Sequence, residues 1–175
     1  MINPQLNLIV LVFVCLPWTM VTSKAAEPIR CEGMYPHHLQ GVCQDPDGNL
    51  YWSFTTTLVK TDSMGQVLKK LEVANHHGDL CYVEGRLFVA VNYGQFNNPL
   101  GQAKNEIVVY QAETLQEQAR YKIPQVKYGA GGIAHHDGKF IVVGGLPSGV
   151  EQNYLYEYND SFIFQKRHVL DSGWT

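Results

Sequence analysis

Charge is scarce in this chain of 175 residues: Asp, Glu, Lys and Arg make up only 17% of it, where about one quarter is usual. Cations do not lead either, since 13 Lys and Arg stand against 16 Asp and Glu, a formal charge of -3. That balance argues against an electrostatic nucleic-acid binder, which needs a basic face. It leaves room for a local basic patch and for small-molecule chemistry. Cysteine is sparse too. The four Cys are too few and too scattered for a disulfide scaffold or a metal-ligand spacing. Gly-x-Ser-x-Gly, the P-loop, the dinucleotide fingerprint, HExxH and CxxC are all missing, so no nucleophile, nucleotide or zincin motif points to a reaction. Helical periodicity is absent except weakly over Glu113–Arg120.

One long apolar run is present. Leu6–Met20 spans 15 residues, short for a membrane span and typical of a signal-peptide core. Ser23-Lys24-Ala25 supplies small residues two apart, so residues 1–25 read as a secretory signal cleaved after Ala25 or Ala26. A retained anchor or a buried segment are the alternatives. Cleavage leaves 12 cations against 16 acids, or -4, and leaves Cys31, Cys43 and Cys81. This predicts a secreted or periplasmic protein with no stable membrane span. One disulfide plus a free thiol is open for the three Cys, as is a partner in sequence not present here.

Glycine and tyrosine are plentiful, at 16 and 10, and the glycines recur in pattern. Gly41 and Gly48, Gly78 and Gly85, and Gly131 and Gly138 each stand seven apart. In each pair a short apolar segment precedes the second Gly and a strongly apolar strand follows it. Two further strand-like stretches complete each unit, among them Asn105–Tyr110, Thr114–Ile123 and Asn153–Tyr158. The stretch after Glu113 reads as turn plus strand, because the other units place a strand there. Four short strands per unit of roughly 40 residues describe a propeller blade. The expected fold is therefore all-β: a lead-in at 26–36, then blades of a partial propeller near 37–74, 75–127 and 128–170. A fourth blade would start at 171. Three blades do not close a ring, so the chain reads as a fragment of a five- to seven-bladed ring. Missing blades or an oligomeric partner would then cover the open faces.

Repeat geometry sorts the polar residues. The turns at Gly48, Gly85 and Gly138 fall on one face with His135 and His136. Asp45-Pro-Asp-Gly48-Asn on that face reads as a hairpin turn, since it lacks the rest of a calcium loop. The other, upper face gathers His37, His38, His76, His77, Asp79 and two insertions, Asn92–Lys104 and Gly144–Gln152. Loops on a rigid scaffold commonly carry binding. Tyr93 and Phe96 are candidate ligand contacts there, Asn92 a candidate carbonyl donor, and Pro99 and Pro147 stiffeners. His77 is the candidate proton-transfer residue with Asp79 orienting it. The plainer reading is that these His and Asp side chains brace loop backbones. Asn159-Asp160-Ser161 fits the N-glycosylation pattern.

The spacing Gly-(x)6-Gly-x-Leu-x-Val, best seen over Gly78–Val89, resembles NHL-type, TolB-like and gluconolactonase-like propellers. The resemblance covers roughly His37–Leu170. For the gluconolactonase-like group it implies a divalent metal in the central channel (Ca, Zn or Mg), held by Glu, Asn and Asp. Glu32-Gly33 shares the opening of that group's Glu-Gly-Pro-x-Trp motif, with Met34 in place of Pro and no Trp following, and no catalytic residue is carried over. Two functions are therefore expected. One is a propeller that binds a small molecule, glycan or protein on its upper loop face. The other is a metal-dependent, lactonase-like hydrolase with a channel site. A pure scaffold is a third option.

Overall fold

The computed structural model describes residues 27–170. The expected signal segment and the start of a fourth blade lie outside the described residues. Within them the chain forms twelve strands. In the first unit these are β1 (Leu39–Gln44), β2 (Leu50–Phe54), β3 (Thr57–Thr61) and β4 (Val67–Glu72). The second holds β5 (His77–Val83), β6 (Arg86–Asn92), β7 (Asn105–Gln111) and β8 (Glu117–Lys122). The third holds β9 (Ala130–His136), β10 (Lys139–Gly144), β11 (Asn153–Asn159) and β12 (Phe164–Leu170). Each unit is one antiparallel sheet in chain order. Three such sheets make an all-β partial propeller of three blades, with β1, β5 and β9 innermost. The weak helical signal after Glu113 is indeed a turn followed by β8.

The turns explain the glycines. Gly48, Gly85 and Gly138 take φ of 87, 78 and 69°, where a Cβ is strained. The third-to-fourth-strand turns hold a second repeated device. Leu115 and Phe162 both adopt φ of 55°, a conformation that costs a side-chain-bearing residue roughly 1–2 kcal/mol. Burial offsets that cost. Leu115 enters the core between the first and second sheets and Phe162 the core between the second and third. Full burial of such a side chain contributes about 1.5–3 kcal/mol.

The two cores have distinct casts. Tyr51, Leu58, Leu80, Leu87, Val89 and Tyr110 anchor the first. Phe88, Ile107, Phe140, Tyr156, Tyr158 and Phe162 anchor the second, where aromatic rings stack or tilt on one another, as at Phe140–Phe162 (4.5 Å). Lys60, almost fully buried, crosses from the first sheet to pair with Glu113 on the second. Cys43 packs against the first core and Cys81 against the second, while Cys31 lies beside Tyr35; all three are free thiols.

The lead-in covers part of the outer face of the first sheet. Tyr35 stacks on Phe54 at 4.3 Å, the Glu32 N–H donates to Gly65 O (2.8 Å), and the Val67 N–H donates to the Glu32 carboxylate (3.0 Å). On the same sheet face, Trp52 and Val59 are 8% and 1% exposed. Gly65 occupies the turn position that Leu115 and Phe162 hold elsewhere, and a Cβ there would strike the Arg30 backbone. The lead-in thus stands where a preceding blade would.

The inner strands approach closely at Gly41. A Cβ on Gly41 would fall 2.8 Å from Asp79 Cγ and 2.9 Å from its Cα, whereas one on Gly132 would meet Val143 and Asp79 at 3.5 and 3.9 Å. Gly41→Ala is therefore expected to destabilise the fold by about 1–3 kcal/mol. Gly132→Ala is expected to be neutral or to stabilise by about 0.4–1 kcal/mol. Urea denaturation midpoints of the two variants check this, and equal midpoints would refute the close approach of β1 and β5.

Candidate functional site

Hydrogen bonds between loops build one rim. The His77 N–H donates to Thr55 O (2.9 Å), the Asn97 N–H to Tyr128 O (2.8 Å) and the Gly145 N–H to Gly129 O (2.8 Å). His76 and Asn92 exchange backbone bonds at 3.1 Å. The second-to-third-strand loops and the connections between sheets therefore share an edge, as the repeat predicted.

Two of the four upper histidines meet there. The Gln40 amide lies 2.9 Å from His38 Nε2, 2.9 Å from Thr55 Oγ1 and 3.2 Å from His76 Nε2. An amide nitrogen has two N–H donors, so three acceptors compete for it. His76 Nδ1 is buried with no hydrogen-bond partner. Burial pushes the His76 pKa below the usual imidazole value, and the His38 and His37 rings act in the same direction. The His76 ring stacks against Phe96 (5.7 Å), which rests on the Gly129 and Gly131 backbone and stays 39% exposed. Gln40 and Thr55 were not recognisable beforehand, being ordinary polar residues of a strand and a turn.

His77 and Asp79 are not brought together as a proton-transfer pair. The pairing of β5 with β6 shifts register between His77 and Leu80, and such a bulge breaks the alternation that would put both side chains on one face. His77 turns into the first inter-sheet space. Its Nδ1–H donates to Ala74 O (2.6 Å) and its Nε2 accepts from the Tyr110 hydroxyl (2.8 Å). Burial drives its pKa down to about 4, so the ring is neutral and fully engaged. Asp79 instead lies among the inner strands, beside Gly41 and Gly132. Burial raises its pKa, while backbone N–H groups of Leu80 and Ile133 hold the carboxylate and act against that rise.

The Asn92–Lys104 insertion is pinned at its base. Buried Asn92 accepts from the Gly94 and Lys104 N–H groups (2.9 and 3.0 Å), which makes it a brace within the loop. Asn105 does the same between sheets, accepting from the Ala130 N–H (2.8 Å) and donating to Val126 O (2.6 Å). Two adjoining clefts of about 490 and 390 Å³ flank the insertion and share Tyr93, Ala103 and Lys104. The Tyr93 hydroxyl accepts from Arg120 (2.7 Å), whose guanidinium also grips Glu117 (2.6 and 2.7 Å).

The opposite face is built of turns. Asp45 accepts from the N–H groups of Asp47 and Asn49 and from the Tyr51 hydroxyl (3.0, 2.9 and 2.9 Å), which is the hairpin expected there. His135 lies 3.0 Å from Asp160, and Asn159 caps its own turn by accepting from the Ser161 and Ile163 N–H groups (3.0 and 2.9 Å).

No known protein family matches the chain, and no curated protein does. Solved structures match its shape. The computationally designed Ika4 protein superposes with a TM-score of 0.51 at 10% identity, over 83% of this chain and 80% of that one. A protein of unknown function from Bacteroides caccae gives 0.53 at 9% identity, over 79% and 48%. The computationally designed Ika8 protein gives 0.50 at 11% identity, over 80% and 39%. The chain thus spans less than half of the last two. Identities this low speak for the fold alone.

His77 makes the acid response predictable. Its folded pKa of about 4 lies below the ordinary 6.5, so between these values the unfolded chain binds a proton that the folded chain does not. The contribution is full above pH 6.5 and is lost as pH falls toward 4, about 3 kcal/mol in all. His77→Gln should flatten that part of the curve. Urea midpoints at pH 4.5 and 7.5 test it, and an unchanged slope in the variant would contradict a buried neutral His77.

Proposed function

We propose that this chain is a secreted or periplasmic propeller that binds a small molecule, glycan or protein on its upper loop face, with the Asn92–Lys104 insertion as the binding element. One observation carries the reading: the insertion is fixed at its base and stays open at its surface. Asn92 and the bond from Asn97 to Tyr128 hold it, while Phe96 and the clefts beside Tyr93 remain accessible. A pre-ordered loop loses little entropy on binding, and clefts of this size suit a small ligand or a side chain of a larger one. The exposed aromatic ring offers a stacking platform.

The glycine spacing supports a finer kinship to NHL-type, TolB-like or gluconolactonase-like propellers. The lactonase-like alternative asks for a set of metal-binding side chains around the channel. Asp79 is one half-buried carboxylate there, yet no three His, Cys, Asp or Glu among the described residues come together as metal ligands. These residues do not fit a resident channel metal. Among the described residues no helix is long and apolar enough to cross a membrane.

Thermal-shift screening of soluble oligosaccharides, small metabolites and peptides, followed by calorimetry, tests the reading. A true ligand should lose roughly tenfold or more in affinity on Phe96→Ala, and more when residues 95–102 are replaced by a short Gly-Ser link. His77→Gln should leave the affinity unchanged. Binding that survives both loop variants would defeat the assignment.

A further inference from the structure

The junction between the first and second sheets carries an ion pair that the next junction lacks. Strand pairing aligns Cys43, Tyr51 and Lys60 across the first sheet and Cys81, Phe88 and Val109 across the second. Each row faces the next sheet along the chain. Lys60 reaches from the first row, over the Tyr51 ring, to Glu113 in the turn between β7 and β8. Leu115 and Phe162 hold equivalent places in their two turns, so Asp160, two residues before Phe162, is the counterpart of Glu113. The counterpart of Lys60 is Val109, which has no charge to offer Asp160.

Space remains at the second junction. A pocket of about 160 Å³ opens between the second and third sheets on the turn face, with Glu84, Arg86, Phe88, His135, Phe140 and Asp160 among its lining residues. Phe88 and Phe140, 4.6 Å apart between ring centres, give it an aromatic wall. The Arg86 guanidinium lies over Phe88 at 5.2 Å and has no hydrogen bond or ion pair among the described residues. His135 Nε2 lies 3.0 Å from Asp160 Oδ1, and Oδ2 of the same carboxylate has no hydrogen-bond partner among the described residues. The chain leaves this face along β12 and ends that strand at Leu170, paired with Asn153 at the far end of the sheet. Both walls of the pocket therefore lie within the described sheets.

Charge selects the ligand. Asp160 lacks the ammonium that Glu113 receives from Lys60. Arg86 offers a planar fork of N–H donors that suits a carboxylate. Glu84 and Asp160 together disfavour a ligand that brings negative charge alone. We infer that this pocket binds a small zwitterion of the amino-acid class, its ammonium at Asp160 as the Lys60 ammonium is at Glu113, and its carboxylate at Arg86. The Phe88 and Phe140 rings receive the short carbon skeleton. A volume of about 160 Å³ falls below the roughly 300 Å³ at which drug-sized sites begin, which excludes an oligosaccharide or a folded partner. The site lies on the face opposite the Asn92–Lys104 insertion and does not rest on the ligand reading given for that loop.

Titration calorimetry with glycine, serine and 4-aminobutyrate, and with ethylamine and acetate as probes of each charge alone, tests the inference. At least one of the three zwitterions is expected to bind with a dissociation constant of about 1 mM or below, and about tenfold or more tighter than either single-charge probe. Arg86→Gln and Asp160→Asn, both at exposed residues, should each weaken that binding about tenfold or more, since each removes a charge-assisted contact. Val109→Lys, which supplies the lysine of the first junction, should abolish it. Far-UV circular dichroism checks that each variant keeps its strands, and the two exposed-site variants decide the matter if Val109→Lys does not fold. Phe96→Ala should leave the binding unchanged. Failure of all three zwitterions to bind at about 10 mM overturns the inference. Binding that ethylamine or acetate matches, or that survives both Arg86→Gln and Asp160→Asn, overturns it as well.

Discussion

A four-stranded sheet with apolar side chains on both faces cannot bury itself. The packing of the described residues follows from that requirement. The second sheet meets it fully, with Val89 and Val108 against the first sheet and Ala90 and Ile107 against the third, all at 0% exposure. The first sheet meets it on one side with the second sheet and on part of the other with the lead-in, which leaves Val42 exposed. Turn residues in left-handed conformation make the fit tighter. Leu115 and Phe162 accept backbone strain because each fills the gap between neighbouring sheets, and Gly65 replaces such a plug where the lead-in backbone passes. Stability is thus arranged as a chain of nearest-neighbour contacts, and the middle sheet is the element on which both cores depend.

The same packing decides where polar chemistry is available. Inner strands crowd at Gly41, where the Asp79 side chain enters between them, held by backbone N–H groups from β5 and β9. The bulge after His77 sends the neighbouring imidazole in the other direction, into the first inter-sheet space, where Tyr110 and Ala74 use both nitrogens. One irregular residue therefore separates two groups that lie two apart in sequence. What remains open to solvent is the rim, where Gln40 joins His38 to His76 and where Phe96 lies over glycine backbone. His77, neutral and with both ring nitrogens engaged, has no nitrogen free for proton transfer.

The strand content was legible in the sequence because the turns announce themselves. Gly48, Gly85 and Gly138 are read as turn residues from spacing, and each takes the positive φ that the spacing implies. The level of the inner strands was less legible. Spacing pairs Gly41 with Gly78, yet in space Gly41 stands level with Asp79. The first hairpin spans five residues, 45–49, between the paired Gln44 and Leu50, whereas the second spans only two between Val83 and Arg86. Turn width is set by the Asp45 hydrogen bonds, which no repeat count can convey. The His77–Asp79 pair failed for a related reason, since proximity in sequence says nothing about a bulge. The Gln40 cluster was invisible because its members come from β1, a turn and a sheet connection, and meet only when two sheets pack.

Asn92 and Asn105 show how the upper face can be both loose in sequence and firm in space. The insertion between β6 and β7 is 12 residues long, 93–104, and a loop of that length without regular structure would ordinarily be mobile. Here the Asn92 side chain closes the loop at its neck, and Asn105 ties the following strand to the next sheet through Val126 and Ala130. Both amides are buried, so their bonds form in surroundings where an unpaired polar group would be costly. The ordering of the rim is therefore part of the fold. It comes from the packing of the second and third sheets, and the exposed face of Phe96 is presented by contacts with the Gly129 and Gly131 backbone at the same junction.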